Sequence, residues 1–233
     1  MRFAIISDIH ANQEALEAVA ASIRVQAPDA VVCLGDIVGY GARPNDCIDV
    51  VRTLTPHVLL GNHDEAAIDL GRAEYFNPYA RIAAEWTHDE LTEEHKTFIQ
   101  ALPYSLALGG ILFVHSSPRD PAEWNYIITD ADAQENFPAF TEPVCFVGHS
   151  HLPGIFSADL SEGPVRRGMQ FIINVGSVGQ PRDNDPRSSY GIFDTNHWEY
   201  RNIRVEYNID AAAAKIRKAG LPKPLADRLF AGR

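Results

Sequence analysis

RFAIISDIH, residues 2–10, is the stretch that decides the fold, because its apolar run ends directly in residues that can bind metal. A second apolar run, residues 30–34, ends in the same way at Gly35-Asp36. Between the two runs, apolar residues recur at helical spacing over residues 15–23, with Asn12 as the predicted N-cap. This strand–helix–strand order predicts two parallel strands joined by a crossover helix.

The rest of the first half of the chain is mainly helical in pattern. Residues 45–54 predict a second helix, and residues 57–60 predict a short strand that leads into Gly61. Residues 64–102 predict a mainly helical insertion, with new helices beginning at Asn77-Pro78 and at Thr92. Helices are therefore expected to flank the strands.

The second half changes to short β-rich runs separated by turn residues. The predicted strands are residues 104–108, 111–114, 144–147, 153–157, 169–174, 189–193 and 198–206. Gly109-Gly110 predicts a hairpin between the first two. Residues 116–142 and 176–188 predict loops, and two short helices close the chain at about 209–230. Without repeats or linkers, we predict one domain over residues 1–233 with an α/β (α+β) fold: one mixed sheet, or two packed sheets, flanked by helices.

Charge and cysteine usage narrow the class of protein. Lys plus Arg number 20 and Asp plus Glu number 31, for a formal net charge of −11. This acidic balance argues against a nucleic-acid partner and against an anionic membrane surface. The 3 cysteines form no CxxC pair and indicate reduced thiols in the cytoplasm. The chain has no apolar stretch long enough for a membrane span, and its first residues lack the pattern of a signal peptide.

Residues that can ligate metal follow the apolar runs of the chain. They are Asp8 and His10, Asp36, Asn62, His115, and the pair His149 and His151. Residues two apart on a strand project to the same face, so Asp8 with His10, and His149 with His151, can each address one site. Open α/β sheets bind their ligands at the carboxyl ends of strands. The sequence therefore predicts a dinuclear metal site at strand ends.

Sharing one carboxylate divides these residues into two sets of ligands. With Asp36 bridging, one set is Asp8, His10, Asp36 and His151, and the other is Asp36, Asn62, His115 and His149. Mixed nitrogen and oxygen donors suit transition metals better than Mg²⁺ or Ca²⁺. We expect two divalent or trivalent ions of Mn, Fe, Zn, Ni or Co.

Two further polar residues lie within Gly61-Asn62-His63-Asp64. His63 is predicted to face the substrate as a catalytic group, and Asp64 is predicted to fix its tautomer and raise its basicity. Asp64 has an equally weighted alternative as the N-cap of a helix beginning at Glu65.

The order D-x-H, G-D, G-N-H-D, H and G-H-x-H resembles the calcineurin-like metallophosphoesterases, from Asp8 to His151. The segment from Asn174 to Arg182, Asn-x-Gly-Ser-x-Gly-Gln-Pro-Arg, is similar to small prokaryotic members. Ser116 departs from the glycine that many relatives have there. The resemblance implies a four-layer αββα sandwich of two mixed sheets, the two ligand sets above, and His63 as the group that assists the leaving group.

The function that follows is hydrolysis of a phosphomonoester or phosphodiester by in-line attack of a metal-bridging hydroxide. A small phosphorylated molecule is the expected partner, with Asn12 and Arg182 as candidate substrate contacts; Arg43, Arg119 and Arg187 are weaker ones. The sequence indicates no oligomeric state. The alternatives on the same site are a dinucleoside polyphosphate hydrolase and a protein phosphatase. A non-catalytic scaffold is opposed by the intact motifs, and a nuclease by the acidic balance.

Overall fold

The strand–helix–strand start is present in a computed structural model, which describes residues 1–233. Strand β1 (Arg2–Ile6) leads into helix α1 (Gln13–Gln26), and the chain returns as strand β2 (Ala30–Cys33), parallel to β1. The Asn12 side chain accepts a hydrogen bond from the Ala15 N–H, which confirms the predicted N-cap.

Two mixed sheets build the centre of the molecule. The remaining strands are β3 (Ser105–Leu108), β4 (Ile111–Val114), β5 (Val144–Val147), β6 (Gly154–Ser157), β7 (Phe171–Asn174), β8 (Ser188–Asp194) and β9 (Glu199–Val205). The first sheet has the order β2-β1-β8-β9, and the second has the order β3-β4-β5-β7-β6. Strands β4, β5 and β7 are parallel, whereas the edge strands β3 and β6 are antiparallel to their neighbours.

The helices cover the outer faces of these sheets. They are α2 (Pro44–Leu54), α3 (Asn62–Ile68), α4 (Pro78–Glu90), α5 (Glu93–Gln100), α6 (Asp130–Asn136), α7 (Ile209–Lys218) and α8 (Lys223–Asp227). Asn77 and Thr92 cap α4 and α5 with their side chains, as predicted. None of the helices combines the length and the apolarity that a membrane span requires.

Successive side chains of each strand point to opposite faces of its sheet, so each sheet packs against a different layer on each face. Phe3 and Phe193 of the first sheet pack against Phe113, Phe146 and Phe171 of the second, so that one apolar cluster fills the space between the sheets. The opposite face of β1, with Ala4 and Ile6, packs against α1 and α2. The outer face of the second sheet is covered by α6. These layers confirm the αββα sandwich.

Two local predictions differ from the structure. Residues 57–60 form a single parallel bridge, Cys33 to Val58, and no ladder, because the Leu60 N–H leaves the sheet and donates to the Pro103 carbonyl. The predicted loop 116–142 contains helix α6, which begins with a reciprocal capping box between Thr129 and Asp132. That spacing is visible in the sequence and is the signal that identifies this helix.

The loop after β7 closes tightly over the loop after β1. The Val178 N–H donates to the Ser7 carbonyl (2.9 Å), and the Gly179 N–H donates to the Asp8 carbonyl (2.9 Å). A Cβ atom placed on Gly179 would lie 1.8 Å from the Ile9 carbonyl oxygen. Only a residue without a side chain fits this contact, which explains the glycine in the Asn174–Arg182 motif.

Gly179→Ala is expected to destabilise the protein by about 1–3 kcal/mol, because the backbone of Ile9 must move to admit the methyl group. Urea denaturation measures the change. Gly154→Ala is the control, since its Cβ atom would meet nothing closer than 3.6 Å. Equal stability of the two variants would contradict the prediction.

Candidate metal centre

The predicted ligands converge at one edge of the sandwich. Asp8 and Asp36 follow β1 and β2 of the first sheet, and His115 follows β4 of the second. His149 and His151 follow β5, next to β4. All of the predicted ligands, including His10 and Asn62, are buried. The carboxyl ends of the strands thus bring together residues that are far apart in sequence, as open sheets do.

The ligand atoms form two groups. One contains Asp8, His10 and His151, and the other contains Asp36, His115 and His149; within each group the candidate atoms all lie within 4.8 Å of one another, and each group could hold a metal ion. The two groups fall within the two ligand sets that the sequence predicts.

The Asp36 carboxylate lies between the two groups. Its Oδ2 atom is 3.7 Å from Nε2 of His10 and 3.4 Å from Nε2 of His115. Its Oδ1 atom accepts a hydrogen bond from the His63 N–H (2.8 Å), which fixes the orientation of the carboxylate. Asp36 is therefore placed to contact an ion in either group.

Backbone carbonyls orient every candidate histidine. Nδ1 of His10, His115 and His151 lies 3.1, 3.2 and 2.6 Å from the carbonyls of Val38, Leu34 and Gln180, which leaves each Nε2 facing the centre. His149 is reversed: its Nε2 lies 2.9 Å from the Trp124 carbonyl, and its Nδ1 is left to face inward. An N–H that donates to a carbonyl fixes the tautomer and raises the basicity of the opposite nitrogen, as expected for metal-ligating histidines.

The backbone at these residues is held in an unusual conformation. Positive φ angles occur at Asp8 (55°), His10 (51°), Asp36 (52°), His149 (65°) and His151 (61°). The left-handed region is sparsely populated by residues other than glycine, and such residues cluster at functional sites. The hydrogen bonds that hold this backbone include Asp8 N–H to the Gly35 carbonyl and His10 N–H to the Asp36 carbonyl.

Several donor atoms at the centre have no partner within the protein. Asp8 Oδ1, Asp36 Oδ2, Asn62 Oδ1 and His115 Nε2 are buried without a hydrogen bond. Nε2 of His10 and Nε2 of His151 face each other at 3.1 Å. Buried polar atoms are normally satisfied, and lone pairs converging on one point are the arrangement that a cation satisfies. The donor set therefore fits transition-metal ions.

The electrostatics agree with this fit. Burial raises the pKa of Asp8 to about 6. Burial opposes charge on His115, but the carboxylates of Asp36, Asp8 and Asp64 together outweigh it and raise the pKa of His115 to about 9. Carboxylates crowded into a buried site favour positive charge beside them, and metal ions supply that charge.

His63 stands beside the ligand groups and belongs to neither. Its ring packs against His10, Tyr40 and Phe76, with centroid separations of 5.0, 4.4 and 4.6 Å. Its Nδ1 atom is buried without a hydrogen bond, and burial lowers the pKa of the ring to about 4. Its Nε2 atom makes no hydrogen bond within the protein and is less enclosed than Nδ1, which lies against Gly39, so Nε2 is the nitrogen that a substrate atom can reach.

Asp64 does not make the predicted contact with the His63 ring. Helix α3 begins at Asn62, so Asp64 is its third residue and not its N-cap. The Asp64 carboxylate accepts hydrogen bonds from the N–H groups of Val38 (3.0 Å) and Gly61 (3.2 Å), and burial raises its pKa to about 7. It joins the loops that carry Asp36 and Asn62.

The residues predicted to contact the substrate differ in whether their side chains already have partners within the protein. Asn12 uses its amide internally, because Oδ1 accepts from Ala15 and Nδ2 donates to the Gly179 carbonyl (2.8 Å). Arg182 is half-buried, with its guanidinium facing Tyr40. By contrast, Arg43 and Arg187 form salt bridges with Asp46 and Asp185. Of the arginines named from the sequence, Arg182 has the clearest position at the centre.

An aromatic cavity, which the metal-ligand motifs do not predict, lies beside Asn62 and His149. It has a volume of about 400 Å³ and is lined in part by Phe76, Trp124 and Tyr126. Tyr126 stacks on His149 with ring centroids 4.0 Å apart. Isolated aromatic residues in a loop give no sequence signal of such a cluster, since contacts over long separations create it.

Known proteins resemble the whole chain. A family model described as the calcineurin-like phosphoesterase superfamily domain matches residues 1–197. An uncharacterized protein of Methanocaldococcus jannaschii is 40% identical over 241 residues, covering 99% of this chain and 98% of the relative. The structure of a metallophosphoesterase from Sphaerobacter thermophilus is 43% identical, with a TM-score of 0.89 and coverage of 100% of this chain and 99% of that chain. A hypothetical protein from Pyrococcus horikoshii shares the fold at 19% identity, with a TM-score of 0.85 and coverage of 100% and 98%.

Proposed function

The chain belongs to the calcineurin-like phosphoesterase superfamily, and from this premise we propose that it hydrolyses phosphomonoesters or phosphodiesters of small molecules with two transition-metal ions. The observation that carries the proposal is the position of Asp36 Oδ2 between two buried ligand groups. A scaffold needs no such convergence of unpartnered donor atoms.

We assign one ion to Asp8, His10, Asp36 and His151, and the other to Asp36, Asn62, His115 and His149. When bound, two ions of Mn, Fe, Zn, Ni or Co acidify water and neutralise phosphoryl charge. The protein residues hold these donors in place before substrate arrives, because carbonyls orient each imidazole and the Asp36 carboxylate is fixed by the His63 N–H. Preorganised donors need little rearrangement during the reaction.

His63 is assigned to the leaving group. Burial alone keeps its imidazole neutral, but the negative charge of a bound phosphate favours the protonated ring. A proton held at Nε2 can then pass to the departing oxygen, since this nitrogen has no competing hydrogen bond within the protein and is not enclosed as Nδ1 is. Asp64 is assigned an indirect role, because it fixes the loops on either side of the site.

Two further residues are assigned to substrate binding and its support. Arg182 is placed to bind a phosphate oxygen with its planar guanidinium. Asn12 supports it indirectly, because its amide holds the Gly179 carbonyl and so the loop that carries Arg182.

Removal of metal by a chelator, followed by dialysis, is expected to abolish hydrolysis of p-nitrophenyl phosphate and of its bis ester. Mn²⁺ or Fe²⁺ should restore it, and should also raise the Tm, because ions that bind only the folded protein stabilise it by mass action. Calorimetric unfolding and colorimetric assays measure the two effects. Binding should weaken as the pH falls, since protons compete for histidine and aspartate ligands. Undiminished activity in the chelated protein would refute the metal-dependent reaction.

A further inference from the structure

Two guanidinium groups face the same aromatic ring beside the proposed reaction centre. Cζ of Arg182 lies 5.9 Å from the centroid of the Tyr40 ring, and Cζ of Arg228 lies 5.8 Å from it. Tyr40 itself packs against His63, with ring centroids 4.4 Å apart. Both cations therefore border the place where the substrate is proposed to react.

Arg182 has no carboxylate partner, although an acidic residue follows it directly. That residue, Asp183, forms its salt bridge with Arg204. Arg182 donates instead to the neutral side chain of Gln180 (3.1 Å), and its buried Nε has no partner. Its positive charge is therefore uncompensated within the protein.

Arg228 repeats this arrangement at the same ring. Its acidic neighbour Asp227 is bound by Arg217, with 3.1 Å between Nη2 and Oδ1. The Nε of Arg228 donates to an oxygen of Arg233, the last residue of the sequence (2.8 Å), and the two terminal nitrogens of the guanidinium make no hydrogen bond within the protein. Burial, and then the charge of Arg182, lower the pKa of Arg228.

Packing fixes the position of Arg228. It lies in the short 3-10 segment Arg228–Ala231, directly after α8. Tyr40 belongs to the same apolar cluster as Ala213 of α7, Leu225 of α8 and Leu229. The C-terminal helices, which lie beyond the residues 1–197 matched by the family model, thus carry this cation to the site.

Two half-buried cations that have no Asp or Glu partner and that face one ring favour a bound anion. The arrangement stands out in a chain with a net charge of −11. The forked donors of arginine match phosphate oxygens in pairs, which neither water nor the Tyr40 ring does. Arg182 lies next to the ligand loop, since its N–H donates to the His151 carbonyl (3.4 Å), whereas Arg228 approaches the Tyr40 ring from the 3-10 segment after α8. An anion held by both is therefore displaced from the metal ligands toward Arg228.

We propose that Arg182 and Arg228 together bind a second phosphate group of the substrate, so that the preferred substrates are small molecules with at least one phosphate beyond the one attacked. This inference rests on the proposed phosphoesterase function. It narrows the substrate class to bisphosphates and oligophosphates, with the second phosphate near the Tyr40 ring.

Calorimetric binding to the metal-free protein tests the site without turnover. The probes are matched pairs that differ by one phosphate: fructose 6-phosphate with fructose 1,6-bisphosphate, and adenosine 5′-phosphate with adenosine 3′,5′-bisphosphate and with adenosine 5′-triphosphate. At least one compound with the additional phosphate should bind about tenfold or more tightly than its partner. Arg228→Gln should remove that preference. Arg228→Lys should retain part of it, because lysine keeps the positive charge but lacks the paired N–H donors of the guanidinium.

The control is Lys223→Gln, which removes the same charge from the same segment at a residue whose side chain is 80% exposed. It should leave the preference unchanged. In the metal-loaded enzyme, Arg228→Gln should raise KM for the preferred compound about tenfold while leaving p-nitrophenyl phosphate hydrolysis within about twofold.

Two outcomes of the binding experiment overturn the proposal. One is the absence of a tenfold preference in every pair, and the other is a preference that survives in Arg228→Gln. An equal loss of p-nitrophenyl phosphate hydrolysis would also overturn it, since Arg228 would then act on the attacked phosphate or on the fold. If the binding preference is present but no phosphate ester is hydrolysed with any metal, the phosphoesterase function fails and the anion site stands.

Discussion

Asp36→Asn is expected to lower kcat by about a thousandfold or more for every phosphate ester, whatever its leaving group. The amide keeps the shape of the side chain and can still accept from the His63 N–H. It removes the negative charge whose Oδ2 atom faces both His10 and His115. Both ligand groups lose their shared anionic oxygen, so the variant should also bind less metal.

Two measurements separate this effect from misfolding. Metal content by atomic emission should fall in Asp36→Asn, and the rise in Tm on adding Mn²⁺ should shrink, while the circular dichroism spectrum stays that of the parent protein. Asp130→Asn is the matched control, because Asp130 is exposed on α6. Full metal content with normal turnover in Asp36→Asn would show that the two groups share no ligand.

His63→Ala is expected to lower kcat by about 10²–10⁴-fold for substrates that release an alkyl alcohol, while metal content is unchanged. The ring belongs to neither ligand group, and its unpartnered Nε2 is the atom proposed to protonate the leaving oxygen. The loss should depend on the leaving group. It should be small for p-nitrophenol, which departs readily as an anion, and large for an alkyl alcohol, which requires a proton.

His63→Asn provides a second variant, since Ala leaves a gap between Tyr40 and Phe76. His197→Ala is the control, because that histidine is a surface residue whose side chain is 77% exposed. Loss of metal from His63→Asn, or an equal loss of rate for all leaving groups, would exclude the role in proton transfer.

The sequence predicted most helices and strands because their hydrophobic periodicity and the residues that begin and end them are local features. Strand β1 and helix α1 were visible as an apolar run followed by helical spacing, and Gly109-Gly110 identified the hairpin between β3 and β4. Helix α6 was missed although Thr129 and Asp132 stand at capping-box spacing. The strand at 57–60 was overpredicted, because residue pattern does not reveal that Leu60 bonds Pro103 instead of continuing a ladder.

By itself, the sequence determined the family and the candidate donor atoms, since side-chain type sets which atoms can ligate metal and apolar runs place them at strand ends. The tertiary structure alone decided how those atoms are used. It showed that the Trp124 carbonyl reverses His149, that Asp64 binds backbone N–H groups and not His63, and that Arg228 and Arg182 both face the Tyr40 ring. These contacts join residues far apart along the chain. Their partners are set by how the layers pack, and no local pattern of residues records that packing.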